Sequence, residues 1–182
     1  MSKRFLARFA VFATAALIAA SAEAQDLSLG PQIGYQKAQG AEAGKLMAGA
    51  ALRFKLSSRF GMEGAINYRQ EKFAGGDLTV RSWPVMVTGL IYPLPIVYGS
   101  LGAGWYNTRF EYASSNPRIA VEDTRQEVGW HFGGGLEIPI GKSTKLAGDI
   151  RYVFLNYDFD QVPGVQLESD FYMLTMGIQF GL

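Results

Sequence analysis

The chain has 182 residues, of which 48% are hydrophobic, with 22 glycines, no cysteine and a formal net charge of +1. This length fits one domain, and the lack of cysteine excludes disulfides as a source of stability. Abundant glycine and aromatic residues favour many strands over helices, and the near-neutral charge argues against nucleic acid as a partner.

The first 24 residues have the features of a secretory signal peptide. Three basic residues precede an apolar stretch over 9–20, and Ala22 and Ala24 supply the small side chains that a signal peptidase requires. The apolar stretch is too short to cross a bilayer as a helix. We therefore predict a signal peptide over 1–24 and a mature domain over 25–182. The mature part carries 14 Lys and Arg against 15 Asp and Glu, a net charge of about −1.

From residue 27 onward, apolar residues alternate with polar or small ones with a period of two, which predicts β-strands. The first four alternating runs cover 27–36, 46–56, 60–69 and 82–91. A tight hairpin over 57–59 joins the second run to the third and places Arg53 opposite Glu63. Pro84 is the weak point of the fourth run, because proline cannot donate a hydrogen bond to a strand ladder.

Four more runs complete the pattern, over 97–106, 128–140, 146–154 and 172–182. The connections alternate in length: long ones are predicted around 37–44, 71–78, 111–124 and 157–169, and short ones at 57–59, 93–95 and 141–144. Short turns on one side and long loops on the other are typical of bacterial outer-membrane barrels. With an even number of strands, both mature termini lie on the short-turn side, which we predict to be periplasmic.

Alternation alone does not say whether the apolar face contacts lipid or lines the cavity of a soluble barrel. An eight-stranded barrel has an interior just wide enough for side chains, and the apolar set would overfill it. The last strand also runs to the final residue without a polar tail. We therefore predict an all-β fold: a closed, eight-stranded antiparallel transmembrane β-barrel in an up-and-down meander. Its outward face carries an aromatic girdle at the bilayer interfaces, consisting of Tyr35, Tyr68, Trp83, Trp105, Trp130, Tyr172 and Phe180.

The pattern resembles the small bacterial outer-membrane β-barrel proteins of the porin-like or opacity-like kind. The resemblance covers essentially the whole mature chain and is carried by residues 129–137, GWHFGGGLE, and 97–104, VYGSLGAG. Members of this family usually end in Phe or Trp, which the barrel-assembly machinery reads. Here Leu182 is last and Phe180 stands two residues before it, a departure that concerns assembly rather than fold.

Inward-facing positions carry charges of both signs, which must be paired where water is scarce. Glu137 is expected across or diagonal from Asp149 and Arg151, and Lys55 also points inward. The predicted interior polar plug consists of Arg53, Glu63, Arg69, His131, Glu137, Asp149 and Arg151. The alternative is a polar track for small ions, but small barrels are generally filled, which favours the plug.

His131 is the only histidine and is predicted to be a hydrogen-bonded interior residue. Outer-membrane enzymes that remove acyl chains from lipid A resemble this barrel, but they pair a histidine with a serine two residues away, and position 133 is Gly. We therefore predict no catalytic residues, no metal site and no cofactor. The glycine-rich segments do not lie between a strand and a helix, which excludes a phosphate-binding loop.

These observations lead to a non-enzymatic protein of the Gram-negative outer membrane that anchors surface loops and contributes to envelope integrity or surface contacts. A narrow porin-like channel for small solutes is the alternative, and a lipid A modifying enzyme is least favoured. The expected partners are outer-membrane lipid and lipopolysaccharide, the barrel-assembly machinery through the C-terminal strand, and an external ligand through the loops.

Overall fold

The computed structural model describes residues 26–38, 44–73, 78–112, 122–157, 167–168 and 170–182. In chain order the strands are β1 (Asp26–Ala38), β2 (Lys45–Lys55), β3 (Phe60–Phe73), β4 (Leu78–Ser82), β5 (Val85–Leu94), β6 (Val97–Tyr112), β7 (Glu122–Pro139), β8 (Thr144–Phe154), β9 (Asn156–Tyr157), β10 (Leu167–Glu168) and β11 (Phe171–Gly181). Within these ranges no helix is both long and apolar enough to cross a membrane.

The strands form a closed eight-stranded antiparallel barrel, as predicted. Each wall strand pairs with its sequence neighbour, and β4 and β5 are two halves of one wall strand between β3 and β6. The barrel closes where β1 pairs with β11, from Ser28 opposite Gly181 to Ala38 opposite Phe171. Because closure leaves no free strand edge, every wall strand has hydrogen-bonded neighbours on both sides.

Proline interrupts the wall strand at the predicted place, because β4 ends at Ser82 and β5 begins at Val85. The register does not slip across the gap, since Ser82 lies opposite Arg69 and Val85 lies opposite Ile66. The carbonyl of Pro84 still accepts a hydrogen bond from the Asn67 amide at 3.1 Å. The strand ladder therefore loses only the backbone N–H donor at position 84, because proline has no N–H group.

The apolar rows face outward along every wall strand, and the intervening residues face the lumen. In β11, for example, Phe171, Met173 and Thr175 are buried whereas Tyr172 and Leu174 are exposed. A shift of one residue would exchange the two faces, so the alternation fixes which side chains meet lipid. The alternative of a soluble barrel with an apolar cavity is therefore wrong.

The strands extend further into the predicted long connections than the hydrophobic pattern indicates. Backbone pairing continues to Phe73 opposite Leu78, to Glu111 opposite Glu122, and to Leu167 opposite Tyr157. The predicted loops around 71–78, 111–124 and 157–169 are thus partly paired strand. The pairing continues because it depends on backbone groups, whereas the alternation that predicts strands ends with the apolar band.

The three short turns lie within one or two residues of their predicted positions, at 56–59, 95–96 and 140–143. The prediction for 93–95 needs the largest correction, because β5 runs through Leu94, which lies opposite Val97. An irregularity in the register between Ile91 and Leu94 accommodates Pro93 within the strand.

Candidate functional site

The lumen of the barrel brings together charged side chains from strands that are far apart in the sequence. Six of the seven residues predicted for the interior plug are at most 5% exposed, namely Arg53, Glu63, His131, Glu137, Asp149 and Arg151. Arg69 is only half-buried, lies opposite Ser82 nearer the long-connection end, and takes no part in the ion pairs described below. The structure therefore does not bring Arg69 into the cluster.

Arg53 joins two carboxylates across the lumen. It lies opposite Glu63, as the hairpin prediction requires, with its Nη2 atom 2.5 Å from Glu63 Oε2. Its Nη1 atom lies 2.7 Å from Glu137 Oε2. Glu137 lies opposite Ala147, so Asp149 is its diagonal neighbour as expected, whereas Arg151 lies two residues further along the strand. The Glu137 side chain contacts neither and reaches across the barrel to Arg53.

Glu137 collects further donors at the short-turn end of the lumen. Lys55 Nζ lies 2.6 Å from Glu137 Oε1, and Lys145 Nζ lies 3.6 Å from the same oxygen. The Tyr92 hydroxyl donates to Glu137 Oε2 at 3.1 Å. Lys55 also lies 4.4 Å from the centroid of the Tyr92 ring, a cation–π contact. Both oxygens of this carboxylate are thus held by donors.

Arg151 forms a second centre about halfway along the lumen. Its Nη2 atom lies 2.6 Å from Glu63 Oε1 and 2.8 Å from Asp149 Oδ2. Its Nη1 atom donates to Thr88 Oγ1 at 3.1 Å, and Asp149 Oδ1 accepts from Thr175 at 2.9 Å. Glu63 therefore bridges the two arginines, one on each carboxylate oxygen.

Tyr98 connects the two arginine centres, and the sequence analysis did not single it out. Its hydroxyl donates to Asp149 Oδ2 at 2.8 Å and accepts from Arg53 Nη2 at 3.2 Å. Its ring lies opposite Gly135, where an added Cβ would come within 2.7 Å of Tyr98 Cζ. The sequence pattern could have pointed to Tyr98, because it is an inward-facing aromatic residue opposite an inward-facing glycine. The glycine leaves the ring room to lie across the lumen.

His131 lies at the edge of the same cluster and is 1% exposed. Its Nε2 atom is hydrogen-bonded to Thr88 Oγ1 at 2.9 Å, whereas no described residue bonds its Nδ1 atom. Gly102 lies directly opposite His131, so the imidazole occupies space that a side chain at position 102 would fill. Among the described residues, no group of three or more His, Asp or Glu side chains could hold a metal ion.

The need for glycine at position 102 is testable. An added Cβ there would lie 2.6 Å from His131 Nε2 and 2.8 Å from Thr88 Cα, whereas at Gly99, which faces outward on the same strand, nothing lies within 4 Å. We expect Gly102→Ala to destabilise the barrel by about 1–3 kcal/mol and Gly99→Ala to change its stability by no more than about 0.5 kcal/mol. Urea unfolding from lipid vesicles measures both, and equal effects would contradict the close approach.

The long-connection half of the lumen is filled mainly by apolar side chains, which the sequence analysis did not predict, together with a few buried polar residues such as Asn67 and Thr108. Tyr106 and Phe171 pack edge to face with ring centroids 5.7 Å apart. The apolar cluster, as we call it, consists of Met47, Ala51, Ala65, Met86, Tyr106, Val153, Leu155, Phe171 and Met173. In the sequence, the three methionines at inward-facing positions were the feature that indicated an apolar filling. The lumen therefore has a charged tier toward the short turns and an apolar tier toward the loops.

All seven residues predicted for the aromatic girdle lie on the outward face. Six are between 40% and 65% exposed and Trp83 is half-buried. Phe180 lies near the short-turn end, whereas the other six lie toward the long connections. Three further outward aromatics, Phe132, Tyr152 and Phe154, pack against one another, and the Tyr152 ring also packs against Tyr172, with centroids 4.9 Å apart.

Comparison with known proteins adds a family and a set of similar structures. The model of the family described as "Outer membrane protein beta-barrel domain" matches residues 8–181. No curated protein matches the chain.

Three solved structures illustrate the similarity in fold. OprG from Pseudomonas aeruginosa is 13% identical, with a TM-score of 0.62 over 86% of this chain and 95% of its own. Neisserial surface protein A is 11% identical, with a TM-score of 0.59 over 86% and 97%. Ail of Yersinia pestis, in complex with the heparin analogue sucrose octasulfate, is 15% identical, with a TM-score of 0.54 over 86% and 97%.

Proposed function

This chain belongs to the outer membrane protein beta-barrel domain family, and we propose that its plugged, non-enzymatic barrel anchors surface loops in the Gram-negative outer membrane. The observation that carries the proposal is the charged cluster, which links seven of the eight wall strands, all except β1. The three carboxylates of the cluster, Glu63, Glu137 and Asp149, are all ion-paired, and four cations surround them, namely Arg53, Lys55, Lys145 and Arg151, so most of the charge in the cluster is compensated internally.

The apolar cluster supports closure for a second, independent reason. An ion that enters from the loop side must pass the methionine and aromatic side chains of the apolar cluster before it reaches the charged cluster. Hydrophobic constrictions of this kind exclude water and block ions without a moving gate. The two tiers lie one behind the other along the barrel axis, so both would have to open for a solute to pass.

Conductance measurements distinguish the plug from a narrow solute channel, which is the alternative function that the charged tier suggests. We expect the purified protein, inserted into a planar bilayer, to give no steady current above that of a matched detergent sample without protein. Repeated single-channel steps from the protein alone would contradict the plug and favour the channel.

The orientation follows from the alternating connections: the long ones face the exterior and both mature termini face the periplasm. Because the chain has no cysteine, single cysteine substitutions can report the orientation of the barrel. We expect Ser115→Cys, in the long connection between β6 and β7, to react in intact cells with a thiol reagent that does not cross the membrane. Lys142→Cys, in the short turn between β7 and β8, should react only after the outer membrane is opened. The reverse pattern would invert the orientation.

Removal of the predicted signal peptide and assembly through the last strand belong to the same proposal. The mature chain would begin at Gln25, and a measurement of the mass of the mature protein would show this. The amide of Leu182 donates to the carbonyl of Leu27 at 2.9 Å, so the barrel seam continues to the last residue. Phe180 and Leu182 both face outward there and are 48% and 79% exposed, where the assembly machinery would contact them.

A role as a lipid A modifying enzyme has the least support. His131 is buried within the lumen and position 133 is glycine, so no serine accompanies the histidine on a lipid-facing surface. A surface-binding role for the loops is consistent with the fold shared with Ail, whose structure contains a heparin analogue. We assign no such ligand to this chain.

A further inference from the structure

The methionines of the wall strands are divided between the two faces of the barrel. Met62 and Met176 face outward and are exposed, whereas the inner methionines, Met47, Met86 and Met173, are at most 4% exposed. All three inner methionines belong to the apolar cluster. Methionine is a common filler of irregular gaps in a core, so burial alone gives these side chains no further role.

The inner methionines enter the lumen at the same level as His131. The hydrogen-bonded rows climb from strand to strand, so that one full circuit from Ser28 returns to β1 ten residues further along, at Ala38. With that climb included, the four α-carbons span about one and a half residue steps, or roughly 5 Å along a strand. They lie on β2, β5, β7 and β11, which are every second strand of the wall. The four side chains therefore enter the lumen from four sides.

Glycines on adjacent strands leave room for two of these methionines. Met86 lies directly opposite Gly104, and Met47 lies directly opposite Gly34. An added Cβ at Gly104 would lie 3.0 Å from Met86 Cγ, and one at Gly34 would lie 3.1 Å from Met47 Cγ. Each thioether side chain thus takes space that a second side chain would otherwise fill.

His131 has an unused nitrogen at this level. Its Nε2 atom is hydrogen-bonded to Thr88 Oγ1 at 2.9 Å, and the same oxygen accepts from Arg151 Nη1 at 3.1 Å. Its Nδ1 atom is buried and has no hydrogen-bond partner among the described residues. When Nε2 carries the ring proton and donates it to Thr88, Nδ1 presents a lone pair. A hydrogen bond from the other ring nitrogen is what usually orients a metal-binding histidine.

We propose that the inner methionines and His131 Nδ1 form a binding site for a soft monovalent metal ion of the Cu(I) and Ag(I) class. Thioether and imidazole ligands favour Cu(I), whereas Mg²⁺ and Ca²⁺ require oxygen ligands. None of the four ligands carries a charge. A single positive charge therefore costs less to bury among them than a double charge does.

The charged tier does not oppose a cation at this position. Arg151 lies on β8, between the strands that carry His131 and Met173. Its Nη2 atom is held by Glu63 and Asp149, so its charge is compensated. The prediction of no metal site rested on the lack of cysteine and of a second histidine, and it did not consider thioethers. Because metal binding couples to folding, the site needs no open channel and is compatible with the plug.

The test measures binding of Ag(I), which keeps one oxidation state in air. The protein is folded into zwitterionic vesicles in chloride-free buffer over a series of free silver nitrate concentrations, and the bound metal is determined after gel filtration against vesicles without protein. We expect about one ion per chain. Met86→Leu/Met173→Leu conserves core volume but removes two thioethers, so its affinity should fall at least about tenfold. Met62→Leu/Met176→Leu, the matched outward-facing control, should bind like the wild type.

A third variant tests the imidazole. His131→Gln removes the ring nitrogen but keeps a polar group beside Thr88, and we expect at least about tenfold weaker binding. Less than about half an ion per chain in the wild type, equal losses in the inner and outer double variants, or unchanged affinity in His131→Gln would each overturn the inference. A difference in gel migration between unheated and boiled samples shows that each variant has folded. Where the inner double variant does not fold, Met173→Leu alone carries the same expectation.

Discussion

Replacing Glu63 with glutamine will lower the free energy of unfolding by about 3–5 kcal/mol, because it removes the buried carboxylate that two arginines share and leaves uncompensated positive charge in the lumen. Glu63 is 2% exposed, and its two oxygens hold Arg53 and Arg151 at 2.5 and 2.6 Å. The amide keeps the shape of the side chain but loses its charge. Two guanidinium groups would then share the two remaining carboxylates of the cluster.

Urea unfolding of the protein from lipid vesicles measures this loss. Lys142→Gln is the matched control, since it also removes one charge but from an exposed turn, where we expect a change of no more than about 0.5 kcal/mol. The Glu63→Gln/Arg53→Met double variant should recover part of the loss, because it removes one cation together with one carboxylate, and Glu137 keeps its ion pair with Lys55. A loss below about 1 kcal/mol in Glu63→Gln would mean that water reaches the cluster and screens it.

The cluster illustrates which contacts a sequence can predict in a barrel. The pairing of Arg53 with Glu63 follows from one short hairpin, since the turn fixes the register of its two strands. The contact between Arg53 and Glu137 joins strands that are not neighbours. It depends on the stagger of all eight strands around the barrel, which alternation within a single strand does not report.

The filling of the lumen was predictable in part for a related reason. A strict period of two identifies the inward positions, so the burial of Met47 and Tyr98 could be read from their place in the pattern. Both side chains are larger than the small residues that were expected to fill a polar interior. How far a ring such as that of Tyr98 reaches across the lumen depends on the glycine that faces it in the folded barrel, here Gly135.

Two phenylalanines on β11 provide a direct test of which face is the interior. Phe171 is 3% exposed and packs against Tyr106 in the apolar cluster, whereas Phe180 faces outward and is 48% exposed. Folding into a bilayer removes both rings from water, so both alanine variants lose the transfer free energy of the ring. Only the inner variant also leaves a cavity, because lipid chains can move to fill the space outside the barrel.

We therefore expect Phe171→Ala to cost about 3–5 kcal/mol and Phe180→Ala about 1.5–3 kcal/mol, measured by urea unfolding from the same vesicles. The two rings also respond differently to the lipid. Changing the length of the acyl chains should alter the stability of Phe180→Ala relative to the wild type and leave the deficit of Phe171→Ala unchanged, because only the outer site is in contact with lipid. A larger loss at position 180 than at position 171 would place the packed interior on the other face of β11, and neither the charged tier nor the apolar cluster would then lie inside the barrel.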